Sequence, residues 1–228
     1  MSRPFAVKLP LEQGYSRRST FAIELLDAVT LARMSQGVTV TANGLQGKPI
    51  INAGGLFVWL LEDLAPLQNV SIDPGTLPYE QVKLDPADLT LPPDPRPLTT
   101  VELPPRVDYV FPAGVTGLRG TLIESRIGSP TPVQNAEVRL NWLDEDDVTR
   151  HDAPTLTHTN STGDFVSILR FAPAEKPNLD NGSVTVRLNV RRDGLTERSS
   201  ADFKLLQGRV TDPSTLDPLT FAWDELQP

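Results

Sequence analysis

Cysteine is absent from this chain, which excludes a disulfide framework, thiol catalysis and metal sites built on thiolates. Long hydrophobic runs are lacking too, because the longest, residues 56–61, is far shorter than the roughly 20 residues that span a bilayer. Residues 1–20 are basic, but prolines and a glycine interrupt them and no apolar export segment follows. We therefore expect synthesis in a reducing cytoplasm without a signal peptide, and no membrane partner.

The chain has few basic residues relative to acidic ones: 21 basic and 29 acidic side chains give a net charge of -8. Such a surface repels a phosphate backbone, so the sequence predicts no nucleic-acid partner. Proline is abundant instead, at 22 residues, about twice the usual ~5% share. Because proline removes an amide donor and restricts the residue before it, this composition favours short strands over long helices.

Alternating apolar residues predict strands along most of the chain. Residues 56–61 are uniformly apolar, which predicts a strand covered on both faces. Apolar and polar residues alternate strictly along 184–190, which predicts a strand with one buried and one solvent-exposed face. The residues that we predict in the structural core are Phe57, Val58, Trp59, Val138, Leu140, Phe165 and Val166.

A short motif occurs in both halves of the chain. Gly55-Leu-Phe-Val and Gly163-Asp-Phe-Val each begin a predicted strand, and an Ala-Pro pair follows each at 65–66 and 172–173. Each motif also follows two predicted strands separated by a turn. The shared order predicts two copies of one fold, although a chance match of so short a motif is the alternative.

The second half resembles the carboxypeptidase regulatory-like, or prealbumin-like, β-sandwich domain. The resemblance depends on Gly-Thr-Leu-Ile-Glu-Ser (120–125), Pro-Val-Gln-Asn-Ala-Glu-Val-Arg-Leu (132–140) and Thr-Asn-Ser-Thr-Gly-Asp-Phe (159–165). It covers about 118–206 and is faint over 21–103. The resemblance implies a seven-stranded sandwich that serves as an accessory or adhesive module without chemistry of its own. The chain departs from the family pattern at 160–163 and in an acidic insertion after Trp142.

Together these patterns predict an all-β chain of two tandem immunoglobulin- or prealbumin-like antiparallel β-sandwiches joined by a Pro-rich linker. The boundaries follow from the positions of the strands and of the prolines. We predict an extended arm at 1–20, a first sandwich at 21–91, a Pro-rich connector at 92–116 with a further candidate strand at 98–103, a second sandwich at 117–208 and a tail at 209–228.

Two groups of residues are candidates for chemistry. The carboxylates of the acidic run 144–147 could coordinate calcium, but the run lacks the regular spacing of a calcium-binding loop. The alternative is a solvent-exposed hairpin turn without a metal. His151 and His158 are the only histidines, and no recognisable motif supplies further zinc ligands or a nucleophile beside them. We predict no catalytic residue, no cofactor and no metal, and we do not expect a small-molecule partner.

Two terminal segments are candidates for docking on a partner. The arm alternates Phe5, Val7 and Leu9 with other residues, a pattern suited to adding a strand to an exposed sheet edge. The tail carries Phe221 and Trp223, large aromatics that need covering, either by this chain or by a neighbouring subunit.

The sequence therefore favours a non-enzymatic structural or adaptor subunit that contacts other protein subunits, or further copies of itself, in a larger assembly. By analogy, the assembly could be a phage-tail-like or contractile injection particle. In that case the protein would be part of a released particle or virion. The alternative is an accessory or adhesin module that binds a glycan or a peptide through its loops.

Overall fold

The computed structural model describes residues 21–60, 64, 66–211 and 219–228. The chain is essentially all-β, with 44% of it in strands and 3% helical. Two single-turn 3₁₀ segments, Pro86–Asp88 and Trp223–Glu225, account for the helical part. None of the helical segments in the described ranges has the length and apolarity needed to cross a membrane.

The first half of the chain forms two sheets that face each other. Its strands are β1 (Phe21–Asp27), β2 (Arg33–Met34), β3 (Thr39–Asn43), β4 (Ile50–Ile51), β5 (Phe57–Trp59), β6 (Asn69–Asp73), β7 (Val82–Leu84) and β8 (Leu98–Leu103). One sheet has the order β2-β1-β5-β4 with β8 beside β1, and the other has the order β3-β6-β7. All of these pairs are antiparallel except β1 with β8, which is parallel.

The second half also consists of two sheets. Its strands are β9 (Thr116–Ile123), β10 (Glu137–Leu143), β11 (Arg150–Asp152), β12 (Thr157–His158), β13 (Asp164–Leu169), β14 (Leu179–Asp180), β15 (Ser183–Arg191), β16 (Arg198–Ser199), β17 (Phe203–Leu206), β18 (Val210–Thr211) and β19 (Thr220–Ala222). The larger sheet is centred on β10 and β15, and the smaller one places β9 between β13 and the pair β18 and β19.

Each half closes around its own hydrophobic core. The first core includes the stacked rings of Phe21 and Trp59, 4.5 Å apart, and extends to Tyr109. The second core begins at Leu118, includes Trp142 and extends to Leu226. The apolar residues that alternate along β15 are all 0% exposed, because this strand lies at the centre of its sheet and packs one face inwards.

The same pairing scheme occurs in both halves. In each, the first strand pairs antiparallel with the strand of the repeated Gly-x-Phe-Val motif, β1 with β5 and β9 with β13. On its other side, each first strand pairs in parallel with a late strand, β1 with β8 and β9 with β18 and β19. Gly55 and Gly163, the glycines of the motif, have nearly equal positive φ values of +79° and +80°.

The predicted connector needs a correction. The strand at 98–103 forms, but it pairs along its whole length with β1 and therefore belongs to the first sheet. Val101, Leu103 and Tyr109 are buried in the first core. The structure thus extends the first half well beyond residue 91, because a parallel partner comes to β1 from far along the chain.

Burial also corrects the prediction for the strand at 56–61. Phe57 and Trp59 are buried, but Val58 is half-buried on the opposite face, so β5 has one inward face. The strand covered on both faces is β13, where Val166 and Ile168 on one side are as buried as Phe165 on the other.

Candidate functional site

Arg170, just after β13, connects the two halves. Its Nη1 donates to the carbonyl oxygen of Ala28 at 2.9 Å, and its Nη2 donates to both carboxylate oxygens of Glu102 at 2.7 and 2.9 Å. Ala28 follows β1 and Glu102 lies on β8. One guanidinium therefore links the second half of the chain to the residue after β1 and to β8 in the first half.

His158 and Glu80 form a second contact between the halves. The backbone N–H of His158 donates to Oε1 of Glu80 at 2.8 Å, and Nδ1 of its ring lies 2.8 Å from Oε2. The hydrogen bond to Glu80 raises the pKa of His158, burial opposes that shift, and the charges of Glu80, Glu137 and Asp193 add to it. The imidazolium form therefore holds this contact most firmly.

A buried carboxylate anchors the segment that leads from one half to the other. Asp27 is 5% exposed and accepts hydrogen bonds from the backbone N–H of Val29, the hydroxyl of Thr30 and the phenol of Tyr109, all at 2.7–2.8 Å. Burial, and next the bond to Asp27, raise the pKa of the Tyr109 phenol. Arg119 of β9 donates to the carbonyl oxygen of Tyr109 at 2.5 Å, so this residue is held from both sides.

A cleft of about 730 Å³ opens between the halves beside these contacts. On one wall Arg106 and Asp108 form an exposed ion pair at 2.6 Å, which lowers the pKa of Asp108. On the other wall Oδ1 of Asn160 accepts from the backbone N–H groups of Thr162 and Asp164, both at 2.9 Å. The cleft thus carries an ion pair on one wall and a hydrogen-bonded turn on the other.

The edge of the first sheet at β4 is open. Among the described residues, β4 pairs only with β5, and it ends its sheet. Ile50 and Ile51 are 55% and 50% exposed. Apolar side chains on an unpaired edge strand are a template for pairing with another strand, because the outward N–H and C=O groups still need partners.

The acidic run 144–147 is a hydrogen-bonded turn. Asp146 accepts from the hydroxyl of Thr149 and from the backbone N–H groups of Thr149 and Val148, bonds that lower its pKa. Asp144 instead contacts His151 at 2.8 Å, and Glu145 pairs with Lys176. The carboxylates have separate partners, and in the described ranges no group of three or more acidic or histidine residues is arranged to hold a metal.

The two histidines lie on separate strands, β11 and β12, which pair with opposite ends of β10. Opposite β10, His151 pairs with Trp142 and His158 pairs with Glu137. Five residues of a strand span roughly 17 Å, so the two imidazoles do not share a ligand. His151 stacks on the Trp142 ring at 4.5 Å, whereas His158 lines the cleft.

The sequence left two alternatives for the tail aromatics, and in this structure Phe221 and Trp223 contact their own chain. Phe221 lies on β19, and its ring contacts Phe165 and Phe203. Trp223 is 8% exposed, and the guanidinium groups of Arg192 and Arg198 lie 5.1 and 4.6 Å from its ring centroid. Parallel pairing with β9 brings these aromatics over the second core, so they pack on their own chain.

The other docking candidates, Phe5, Val7 and Leu9, lie outside the described residues. The predicted core residues Val138, Leu140, Phe165 and Val166 are each 0–1% exposed. Sequence reasoning missed the cleft. Glu80 and His158 are 78 residues apart, and neither residue belongs to a local motif that indicates contact.

Comparisons with known proteins identify no relatives: no family model, no curated protein and no solved structure matches this chain.

Proposed function

We propose that this chain is a non-enzymatic structural or adaptor subunit that contacts other protein subunits in a larger assembly. The assembly that we favour, by analogy, is a phage-tail-like or contractile injection particle, with the chain made in the cytoplasm and carried in the released particle. The observation that carries the proposal is the open edge at β4, where Ile50 and Ile51 are exposed on a body whose two halves are joined by side-chain hydrogen bonds.

The hydrogen bonds between the halves matter because an adaptor must hold its contact surfaces at a fixed geometry. Arg170 binds Glu102 through both carboxylate oxygens, His158 binds Glu80 twice, and Tyr109 reaches Asp27. Hydrogen bonds between charged groups are stronger than neutral ones. They support a body whose two halves present their edges as one unit.

Sedimentation of the native complex tests this function. A tagged full-length chain is expressed in the cells that encode it, and the lysate is separated by size and crosslinked for mass spectrometry. We expect the chain to sediment with a large particle at fixed stoichiometry and to crosslink to other subunits. Recovery only as a free monomer, with intramolecular crosslinks alone, contradicts the proposal.

We also propose that the second half is a sandwich of the carboxypeptidase regulatory-like kind. Close packing around three residues of the resemblance supports this proposal. A Cβ on Gly163 would lie 2.4 Å from the carbonyl oxygen of Leu122, and a Cβ on Gly120 would lie 2.8 Å from the Phe165 ring. Phe165 is fully buried between the sheets. An experimental structure that pairs these strands differently would contradict this assignment.

The cleft between the halves favours a second candidate, a module that binds a peptide or a glycan. Its walls carry the ion pair of Arg106 with Asp108 and the turn of Asn160 with Asp164, polar groups that a peptide or glycan could contact. Titration against peptide and glycan libraries tests it, with Asp108→Asn as the variant. Binding that weakens in the variant supports this candidate, and an absence of binding by the unmodified chain rejects it.

A further inference from the structure

The backbone of β4 shows which of its groups face the open edge. Asn52 N–H donates to the carbonyl oxygen of Leu56 at 3.0 Å, and the next pair along the ladder is Ile51 with Phe57. Opposed pairs in an antiparallel ladder alternate between hydrogen-bonded and non-hydrogen-bonded. The N–H and C=O of Ile51 therefore point away from β5, towards an added strand.

The N-terminal arm has a matching pattern in its sequence. The apolar residues Phe5, Val7 and Leu9 occupy odd positions, whereas Pro4 and Pro10 occupy even ones. In an extended strand, successive residues direct their N–H and C=O groups to opposite edges. The prolines therefore remove donors from one edge only, and the odd-numbered edge keeps every N–H. A strand with one proline-blocked edge is suited to the border of a sheet.

We propose that residues 5–11 of one copy add as a strand to the β4 edge of a second copy. This inference rests on the proposed function, since it names a further copy of the chain as one of the partners. One of the odd-numbered residues would pair directly with Ile51, and the apolar side chains on that edge would cover the exposed Ile51 side chain. The proline-blocked edge would face outwards and stop further addition.

Charge favours this occupant. Four of the 21 basic side chains and one of the 29 acidic ones lie in residues 1–20, so the arm carries +3 and the remaining residues -11. A basic arm is therefore attracted to the acidic body of another copy and offsets part of the repulsion between two such bodies. The nine residues 12–20 span at most about 30 Å when extended, enough to reach across to a neighbour.

A pair of proline substitutions in the full-length chain tests the edge assignment. Val7→Pro removes an N–H from the odd-numbered edge and replaces valine with a ring of similar size, whereas Ala6→Pro removes one from the edge that prolines already block. Mass is measured by size-exclusion chromatography with light scattering over a range of concentrations. We expect the unmodified chain and A6P to associate, and V7P to dissociate about tenfold more readily, the effect of one hydrogen bond.

The acceptor edge is tested in the same way. Ile51→Lys places a charge on the proposed edge, and Ile127→Lys places the same charge at a side chain that is 89% exposed elsewhere. We expect I51K to weaken association and I127K to leave it unchanged. Circular dichroism of each variant verifies that the fold is retained.

Three results would overturn the inference: a full-length chain that is monomeric at every concentration, equal loss of association in V7P and A6P, or equal loss in I51K and I127K. A monomeric chain would include the case in which the arm pairs with its own body. None of these results contradicts the adaptor function by itself, because the sedimentation experiment measures contacts with other subunits. Failure of one proposal is thus distinguishable from failure of the other.

Discussion

The phenol of Tyr109 donates a hydrogen bond to the carboxylate of Asp27 at 2.7 Å, although 82 residues separate them. Asp27 ends β1, and Tyr109 lies in the segment that leads into the second half. Because the carboxylate is buried, each of its donors is needed to offset its desolvation. This pair fixes where the chain leaves the first core.

Removal of the phenol should therefore be costly. We expect Tyr109→Phe to lower the free energy of unfolding by about 2 kcal/mol, since it deprives a buried charge of a hydrogen bond. Urea unfolding measures the loss. In a double-mutant cycle with Asp27→Asn, we expect a coupling energy of about 1 kcal/mol or more. Additive losses would show that the two side chains are not energetically coupled.

The His158–Glu80 contact should make stability depend on pH. The folded pKa of His158 is raised above its unfolded value near 6.5, so the contact contributes fully below pH 6.5 and is lost as pH rises through the folded pKa. We expect the stability advantage of the wild type over His158→Gln to be larger at about pH 5.5 than at about pH 9. Urea unfolding at both pH values measures it.

Glu80→Gln is the matched control, because it removes the charge that holds the imidazolium. The advantage over His158→Gln should lose most of its pH dependence in the E80Q background. A constant difference between the two pH values in the wild-type background would contradict a role for the charged histidine.

Gly163 should tolerate no side chain. Its φ is +80°, and a Cβ would lie 2.4 Å from the carbonyl oxygen of Leu122. Gly182 has a similar φ of +76° with nothing within 4 Å of the added Cβ, so it separates backbone strain from the clash. We expect Gly182→Ala to cost about 1–2 kcal/mol and Gly163→Ala clearly more. Equal losses in thermal unfolding would show that the clash is relieved by a small backbone shift.

Trp223 should stabilise its own chain. It is buried in the second core, and the guanidinium groups of two arginines lie over its ring. We expect Trp223→Ala to destabilise the fold by about 3–5 kcal/mol and Trp223→Phe by less, because phenylalanine keeps most of the packing. Calorimetric unfolding compares the three proteins. Unchanged unfolding in W223A, with loss of partner binding, would restore the docking role that the sequence left open.

Local patterns were sufficient where an element depends on its own residues. Alternation predicted the inward face of β15, and the repeated Gly-x-Phe-Val motif marked β5 and β13, with glycines that adopt positive φ in both. The prediction from the uniform apolar run at 56–61, a strand covered on both faces, was wrong, because Val58 is half-buried on the outer face of its sheet. A run of large apolar side chains does not by itself indicate whether one or both faces of the strand will be buried.

The sequence by itself determined the all-β class, the positions of most strands and the inward faces of the alternating ones, because a period of two residues and turn-forming glycines act within a few positions. Only the tertiary structure decided that β8 completes the first sheet, that the tail packs on β9 and that Glu80 meets His158 across the cleft. These contacts join residues far apart in the chain, and their energy depends on which surfaces meet, a property that no local pattern contains.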